Sequence, residues 1–197
     1  MGTRHLTVVI KDNKIKLSQY GQWDGYYSGQ GETFTNFVRN HLKNDYDFRK
    51  FSEMVNILKP VEDSYYESLL KHFDEINKNK EFSIPLSVMF PQFSRDTGAK
   101  ILYILASQFA TSYYGKAFPV ALSGAVWCEF AYVINLDTKE VYMFTDWEFD
   151  ASAEQDTPEF IQQHLGGLKC WYKCSIKNLP TVTSIKKYNK QIGLNNG

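Results

Sequence analysis

Leu6, Val8 and Ile10 alternate with polar residues, and beyond Asp12-Asn13 the alternation resumes with Ile15 and Leu17. A period of two broken by a turn-forming pair reads as a β-hairpin over residues 5 to 20. A chain that opens this way must find partners for its strands and a cover for their apolar face.

Helical periodicity follows. From about Gly31, Phe34, Phe37, Val38, His41 and Leu42 share one stripe; after Asp47 come Phe48, Phe51, Val55 and Leu58, stopping at Lys59-Pro60. Tyr66, Leu69, Leu70, Phe73 and Ile76 make a third stripe that ends in NKNKE, so residues of about 31–80 form a helical layer or insertion. The connection IPLSVMFPQF leads to a further helix, capped by Ser94 or Asp96 and running to about Ser112, whose apolar run from Ile101 to Leu105 implies burial on several sides. AVWCEFAYVINLDTKEVYMFTDW reads as two strands joined at Asp137-Thr138-Lys139, followed by an acidic loop through Asp156. A short helix near Pro158 to Leu165 and the strand LKCWYKCSI complete the pattern. Strands and helices in runs rather than in strict alternation point to an α+β fold, antiparallel sheets with packed helices. The expectation is a single α+β domain over residues 1–197 with a loosely ordered tail from about 186.

A chain of 197 residues buries roughly 70% of its unfolded surface, so no disulfide or metal is needed to hold it together. Cys128, Cys170 and Cys174 are an odd number and imply no disulfide framework. In a strand, the four-residue step from Cys170 to Cys174 spans about 13 Å, too far to bridge, and places both on one face in the core. With 22 basic and 22 acidic residues the net charge is zero, which argues against duplex nucleic acid but leaves a small nucleotide open. No stretch reaches the ~18 apolar residues of a membrane span, and MGTRHL lacks a signal peptide's apolar region, so no membrane association and a cytoplasmic location are expected.

The segment GQWDGYYSGQG, residues 21–31, has four glycines and no aliphatic residue and reads as an ordered loop. Gly21, Gly25, Gly29 and Gly31 allow positive φ and close approach of backbone N–H groups to a ligand, the last just ahead of a helix N-terminus that favours an anion. Trp23, Tyr26 and Tyr27 can stack on a ring, while Gln19, Gln22, Asp24 and Gln30 offer directional hydrogen bonds, with Tyr20 and Ser28 in the same stretch. The alternative is a plain hairpin-to-helix connection whose aromatics cover a sheet edge. Arg4 and His5 alternate on the first strand, so one of them faces the buried side. Arg4 suits a carboxylate or phosphate, or a structural ion pair; His5 suits packing. Arg95, Asp96 and Thr97 precede the central helix, as an anion contact and capping residues, and Glu129 is a lone inner carboxylate or a solvent-facing one. His41, His72 and His164 lack metal-ligand spacing, and the acidic run from Asp146 to Asp156 lacks a calcium-loop pattern, so neither a metal nor a cofactor is expected.

The MGTRHL start and the QYGQWDGYYSGQG segment resemble an uncharacterised family of bacterial, phage and fungal genomes marked by MGTR-x-L and QYGQWDGYP-x-G-x-G, with Tyr27 here in the proline's place. FSRDTGAKIL and WCEFAYVINLD are weaker echoes, and the resemblance implies no assigned activity. The start is also similar to that of N-terminal nucleophile hydrolases, which implies an αββα sandwich. Gly2 stands where the bile-salt hydrolase branch has its cysteine, so a nucleophile would have to be Thr3, freed by removal of Gly2.

Together these readings give a non-catalytic protein that binds and sequesters a small, anionic, ring-containing ligand, a nucleotide-derived immune signal in a phage setting, and that is compatible with a homo-oligomer. The rival readings are an amide or phosphodiester hydrolase using Thr3, Asp24, His5 or Glu129, and a protein-interaction module displaying Tyr and Trp.

Overall fold

A computed structural model of the chain describes residues 2–78, 82–107, 112–113, 128–165 and 167–194. The alternating segment forms β1 (His5–Lys11) and β2 (Lys14–Gly21), paired antiparallel through a turn in which Asp12 and Asn13 adopt φ of 55° and 50°. Asp137 closes this turn from outside, its carboxylate accepting from the Asp12 and Asn13 N–H groups at 2.9 Å each.

Three helices follow as their stripes predict: α1 (Glu32–His41), α2 (Asp45–Ile57) and α3 (Asp63–Asn77). Asn44 caps α2 by accepting from the Asp47 N–H at 2.8 Å. Phe34, Phe37, Phe51, Met54 and Val55 are buried, whereas α3 buries none of its residues and lies at the periphery. A two-residue pairing of β3 (Lys59–Pro60) with β4 (Ser112–Tyr113), the single turn α4 (Leu86–Met89) and the helix α5 (Ile101–Ala106) complete the first half. The helix expected to run from Ser94 or Asp96 to about Ser112 is shorter at its start. Ser94 Oγ accepts from the Asp96 N–H at 3.1 Å within a turn, Gly98 reverses the chain at φ 51°, and helical structure begins on the 3-10 turn Gly98–Lys100 without a side-chain cap. Residues 108–111, where its far end was expected, lie outside the described residues.

The second half holds β5 (Phe130–Asn135), β6 (Glu140–Thr145), α6 (Glu159–His164), β7 (Lys169–Ser175) and α7 (Val182–Gln191). The five long strands make one sheet in the order β2-β1-β5-β6-β7. Its pairings are antiparallel except β1 with β5, which run parallel with His5 opposite Phe130 and Ile10 opposite Asn135. The sheet, expected to be antiparallel, is so in three of its four pairings, and the β1-β5 pairing makes it mixed. A parallel neighbour needs a long crossover, and the helices between β2 and β5 supply one. The architecture is α+β, a mixed five-stranded sheet with packed helices; the second sheet among the described residues is the two-residue pairing of β3 with β4.

Both faces of the sheet are buried. Val9, Leu17, Tyr132, Ile134 and Met143 pack beneath α1, α2, α5 and α7, while Leu6, Val8, Ile10, Ala131, Val133 and Phe144 pack with Ile161 and Leu165 of the α6 region. A bulge in β7 sets Met143 opposite Tyr172 and Phe144 opposite Cys170, leaving Trp171 unpaired. This overturns the reading that the two cysteines share a face: the extra residue inverts the alternation. Cys170 joins the Leu6 cluster and Cys174 packs against the helix-covered one, and both are free thiols.

The tail expected to be loosely ordered from about 186 is instead the body of α7. Thr181 caps it by accepting from the Ser184 N–H at 3.3 Å, and Ile185, Ile192 and Leu194 are buried. The Ile192 carbonyl accepts from the Asp150 N–H at 2.8 Å, fastening the helix end to the loop after β6.

Candidate functional site

β1 and β5 start side by side, so parallel pairing places Arg4 against Glu129 although the two are 125 residues apart. The Arg4 carbonyl accepts from the N–H groups of Glu129 (3.0 Å) and Phe130 (3.2 Å), and the Arg4 N–H reaches Glu129 Oε1 at 3.4 Å. The other carboxylate oxygen accepts from the Trp147 indole N–H at 3.1 Å. Glu129 is therefore a half-buried, doubly held acceptor, neither of the two alternatives its sequence position left open.

The chain ahead of β1 runs beneath the segment that follows β2. Gly25 N–H donates to the Thr3 carbonyl at 2.9 Å, and a Cβ at Gly2 would come within 2.6 Å of the Gln22 carbonyl and overlap the Trp23 indole. Trp23 nevertheless leaves 52% of its surface exposed. Gln22 is held twice: its N–H donates to the Arg95 carbonyl at 3.4 Å, and its Oε1 accepts from the Tyr20 hydroxyl at 2.8 Å. Burial and the neighbouring Cys128 thiol raise the pKa of the Tyr20 hydroxyl, while the guanidinium groups of Arg4 and Arg95 oppose that rise. Burial pushes the Cys128 thiol up to about 12, with Arg4 opposing and Glu129 and Asp146 adding to it. Asp146 is itself raised, by burial and then by Glu129. Arg4, Tyr20, Gln22, Trp23, Arg95 and Glu129 thus meet at one end of the sheet, joined by Cys128, Asp146 and Trp147. Sequence reasoning placed Asp146 in a solvated acidic loop and gave Trp147 no role, because nothing in the types of Thr145, Asp146 and Trp147 signals that all three bond to Glu129.

Below this surface the other expected ligand residues are turned inward. His5 is fully buried, and burial lowers its ionisation to about 3, so the ring is neutral. A Cβ at Gly21 would overlap that ring, and one at Gly98 would lie 2.9 Å from its Nε2. Gln19 is buried and donates to the carbonyls of Ser94 (3.0 Å) and Tyr20 (3.2 Å), and Gln30 Oε1 accepts from the Ala99 N–H at 2.9 Å. These two amides fasten the Ser94–Lys100 stretch to the sheet edge and to the turn before α1. Thr97 does not cap: its hydroxyl donates to the Pro91 carbonyl. Arg95 and Asp96 are exposed.

The glycine-rich segment is built differently from a phosphate cradle. Residues Tyr27–Gly31 form one turn of π-helix continuous with α1. Its N–H groups are spent internally, Gly29 and Gly31 donating to the Tyr26 carbonyl (3.0 and 3.4 Å) and Gln30 to the Asp24 carbonyl (2.9 Å). Of the segment's residues only Asp24, at φ 54°, has positive φ; none of the four glycines does. Gly31 is required instead by packing, since a Cβ there would lie 2.7 Å from both the Tyr132 hydroxyl and the Tyr27 ring. Tyr27 is a core residue rather than a stacking platform: it is fully buried, meets Trp171 edge-on at 5.8 Å and shares a hydrogen bond with the Thr35 hydroxyl at 3.1 Å. At the rim, the Tyr26 hydroxyl donates to Asp24 Oδ1 at 3.2 Å, and Ser28 is half-exposed.

His41 stacks on Phe37 at 5.1 Å, and His164 shares a 2.6 Å hydrogen bond with the Phe160 carbonyl, as structural residues do. Among the described residues no cluster of three or more His, Cys, Asp or Glu side chains could hold a metal ion, and no helix is long and apolar enough to cross a membrane. Comparison with protein-family models, curated proteins and solved structures finds no match for the chain.

Proposed function

We propose that this chain binds a small, anionic, ring-containing ligand, a nucleotide-derived molecule, on the surface formed by Arg4, Tyr20, Gln22, Trp23 and Arg95, and retains it without turnover. The observation that carries the reading is that the Arg4 and Arg95 guanidinium groups both act electrostatically on the Tyr20 hydroxyl, which is hydrogen-bonded to Gln22 next to the half-exposed Trp23 indole. Guanidinium forks suit phosphate or carboxylate and an indole face suits a nucleobase, and Gln22, next to Trp23, ties this stretch to the Tyr20 hydroxyl and to the Arg95 backbone carbonyl. Retention without chemistry is favoured because the thiol nearest the arginines is held protonated at neutral pH and the one histidine at this end is buried and neutral. Such a protein acts by sequestration.

Arg4→Ala, Gln22→Ala and Trp23→Ala should each weaken binding by roughly 1.5–3 kcal/mol, the loss of one charge-assisted hydrogen bond or one stacked ring, with the fold retained. Ligand should also quench or shift Trp23 fluorescence, an effect absent from Trp23→Phe. Sharply lowered melting temperatures with unchanged affinity in the folded fraction would make the segment a structural connection instead.

A further inference from the structure

We propose a second ligand site, in the groove beside α5, for a small apolar zwitterion such as an α-amino acid with an aliphatic or aromatic side chain. The groove encloses about 610 Å³ and is walled by Pro91, Tyr103 and Ile104, with Thr33, Asp96 and Lys100 at its polar positions. That volume lies within the range of about 300–1,000 Å³ typical of small-molecule sites.

Its charge arrangement selects the ligand. Asp96 and Lys100 are four residues apart, a spacing that on a continuous helix pairs opposite charges. Here Gly98, at φ 51°, interrupts the helical path between them. Both side chains line the groove and are exposed, yet among the described residues neither takes part in an ion pair. The groove therefore offers one carboxylate and one ammonium, neither neutralised by the other. A polyanion finds a single cation there and a repelling carboxylate. A zwitterion satisfies both charges and can lay an apolar side chain on Tyr103, Ile104 and Pro91. The Thr97 hydroxyl, spent on the Pro91 carbonyl, secures the wall rather than contacting the ligand. The site uses none of the residues of the arginine-and-tryptophan surface, so the two proposals stand or fall separately.

The test is calorimetric titration of the full chain with L-leucine and L-phenylalanine, and with 3-phenylpropionate and 2-phenylethylamine, which lack the ammonium and the carboxylate respectively. Saturable binding of at least one amino acid is expected with Kd about 1 mM or tighter, and each truncated analogue should bind about tenfold more weakly or worse. Asp96→Asn should weaken L-phenylalanine without weakening 3-phenylpropionate, and Lys100→Gln should weaken L-phenylalanine without weakening 2-phenylethylamine. Both are surface changes, and unchanged circular dichroism confirms that the fold persists. Absence of saturable binding of either amino acid, analogues that bind as well as L-phenylalanine, or an affinity unchanged in either variant would overturn the proposal.

Discussion

His5 brings an imidazole into the helix-covered face of the sheet with no hydrogen-bond partner for either ring nitrogen among the described residues, and its ring centroid lies 6.5 Å from that of Tyr132. Burial lowers its ionisation from 6.5 to about 3, so between those values the unfolded chain binds a proton that the folded chain refuses. Stability must then fall as pH falls below the unfolded value, by up to about 1.4 kcal/mol per pH unit, and is fully present above it. Urea denaturation across pH 7 to 4 should show that slope, and His5→Leu, which removes the titrating group while keeping apolar bulk, should flatten it. Gly21 belongs to the same contact. Gly21→Ala drives a methyl into the His5 ring and should cost about 1–3 kcal/mol of stability, measured by the same denaturation series. The sequence marked the glycines of this segment as points of close approach to a ligand, and the structure gives Gly21 and Gly31 close partners within the chain itself. A glycine records only that a side chain is not tolerated; whether a ligand or the chain's own His5, Tyr27 or Tyr132 occupies the space is decided by tertiary packing.

At the scale of elements, periodicity carried most of the fold. The N-terminal hairpin, the first three helices and the β5-β6 hairpin stand where alternation and helical stripes put them. Departures arise where one residue changes the count. The unpaired Trp171 in β7 separates Cys170 and Cys174 onto opposite faces, and no propensity in CWYKC announces it. Cys170→Ser should therefore destabilise more than Cys174→Ser, because only Cys170 is fully buried, and both variants should keep ligand affinity; thermal melts and binding isotherms on the pair check this. Tyr27, read as a candidate stacking residue, should cost about 3–5 kcal/mol when changed to Ala, as a buried aromatic does. The last helix was hidden by composition, since SIKKYNKQ reads as a polar tail until Ile185, Ile192 and Leu194 are seen to share buried positions. Deleting residues from 182 onward should lower the melting temperature markedly instead of removing an inert tail.

Across the whole molecule, the candidate surface is assembled by two kinds of contact. The β1-β2 hairpin sets the chain start beside Tyr20, Gln22 and Trp23, the Gln22 N–H bond to the Arg95 carbonyl brings in the Ser94–Lys100 segment, and the parallel β1-β5 pairing adds Glu129 at the edge. Residue types were legible beforehand, Arg4, Gln22, Trp23 and Arg95 among them. Their convergence was not, because Arg95 reaches Gln22 through a backbone bond between segments more than seventy residues apart, which no local pattern announces. The zero net charge confines attraction for an anion to this local pair of guanidinium groups. The most direct test is to incubate the protein with a mixture of nucleotide metabolites, remove unbound material, denature with heat and identify what is released. Intact nucleotide, released from the parent chain and lost together in Trp23→Ala and Arg95→Ala, is the predicted result; a chemically altered product, or no retained nucleotide at all, would contradict it.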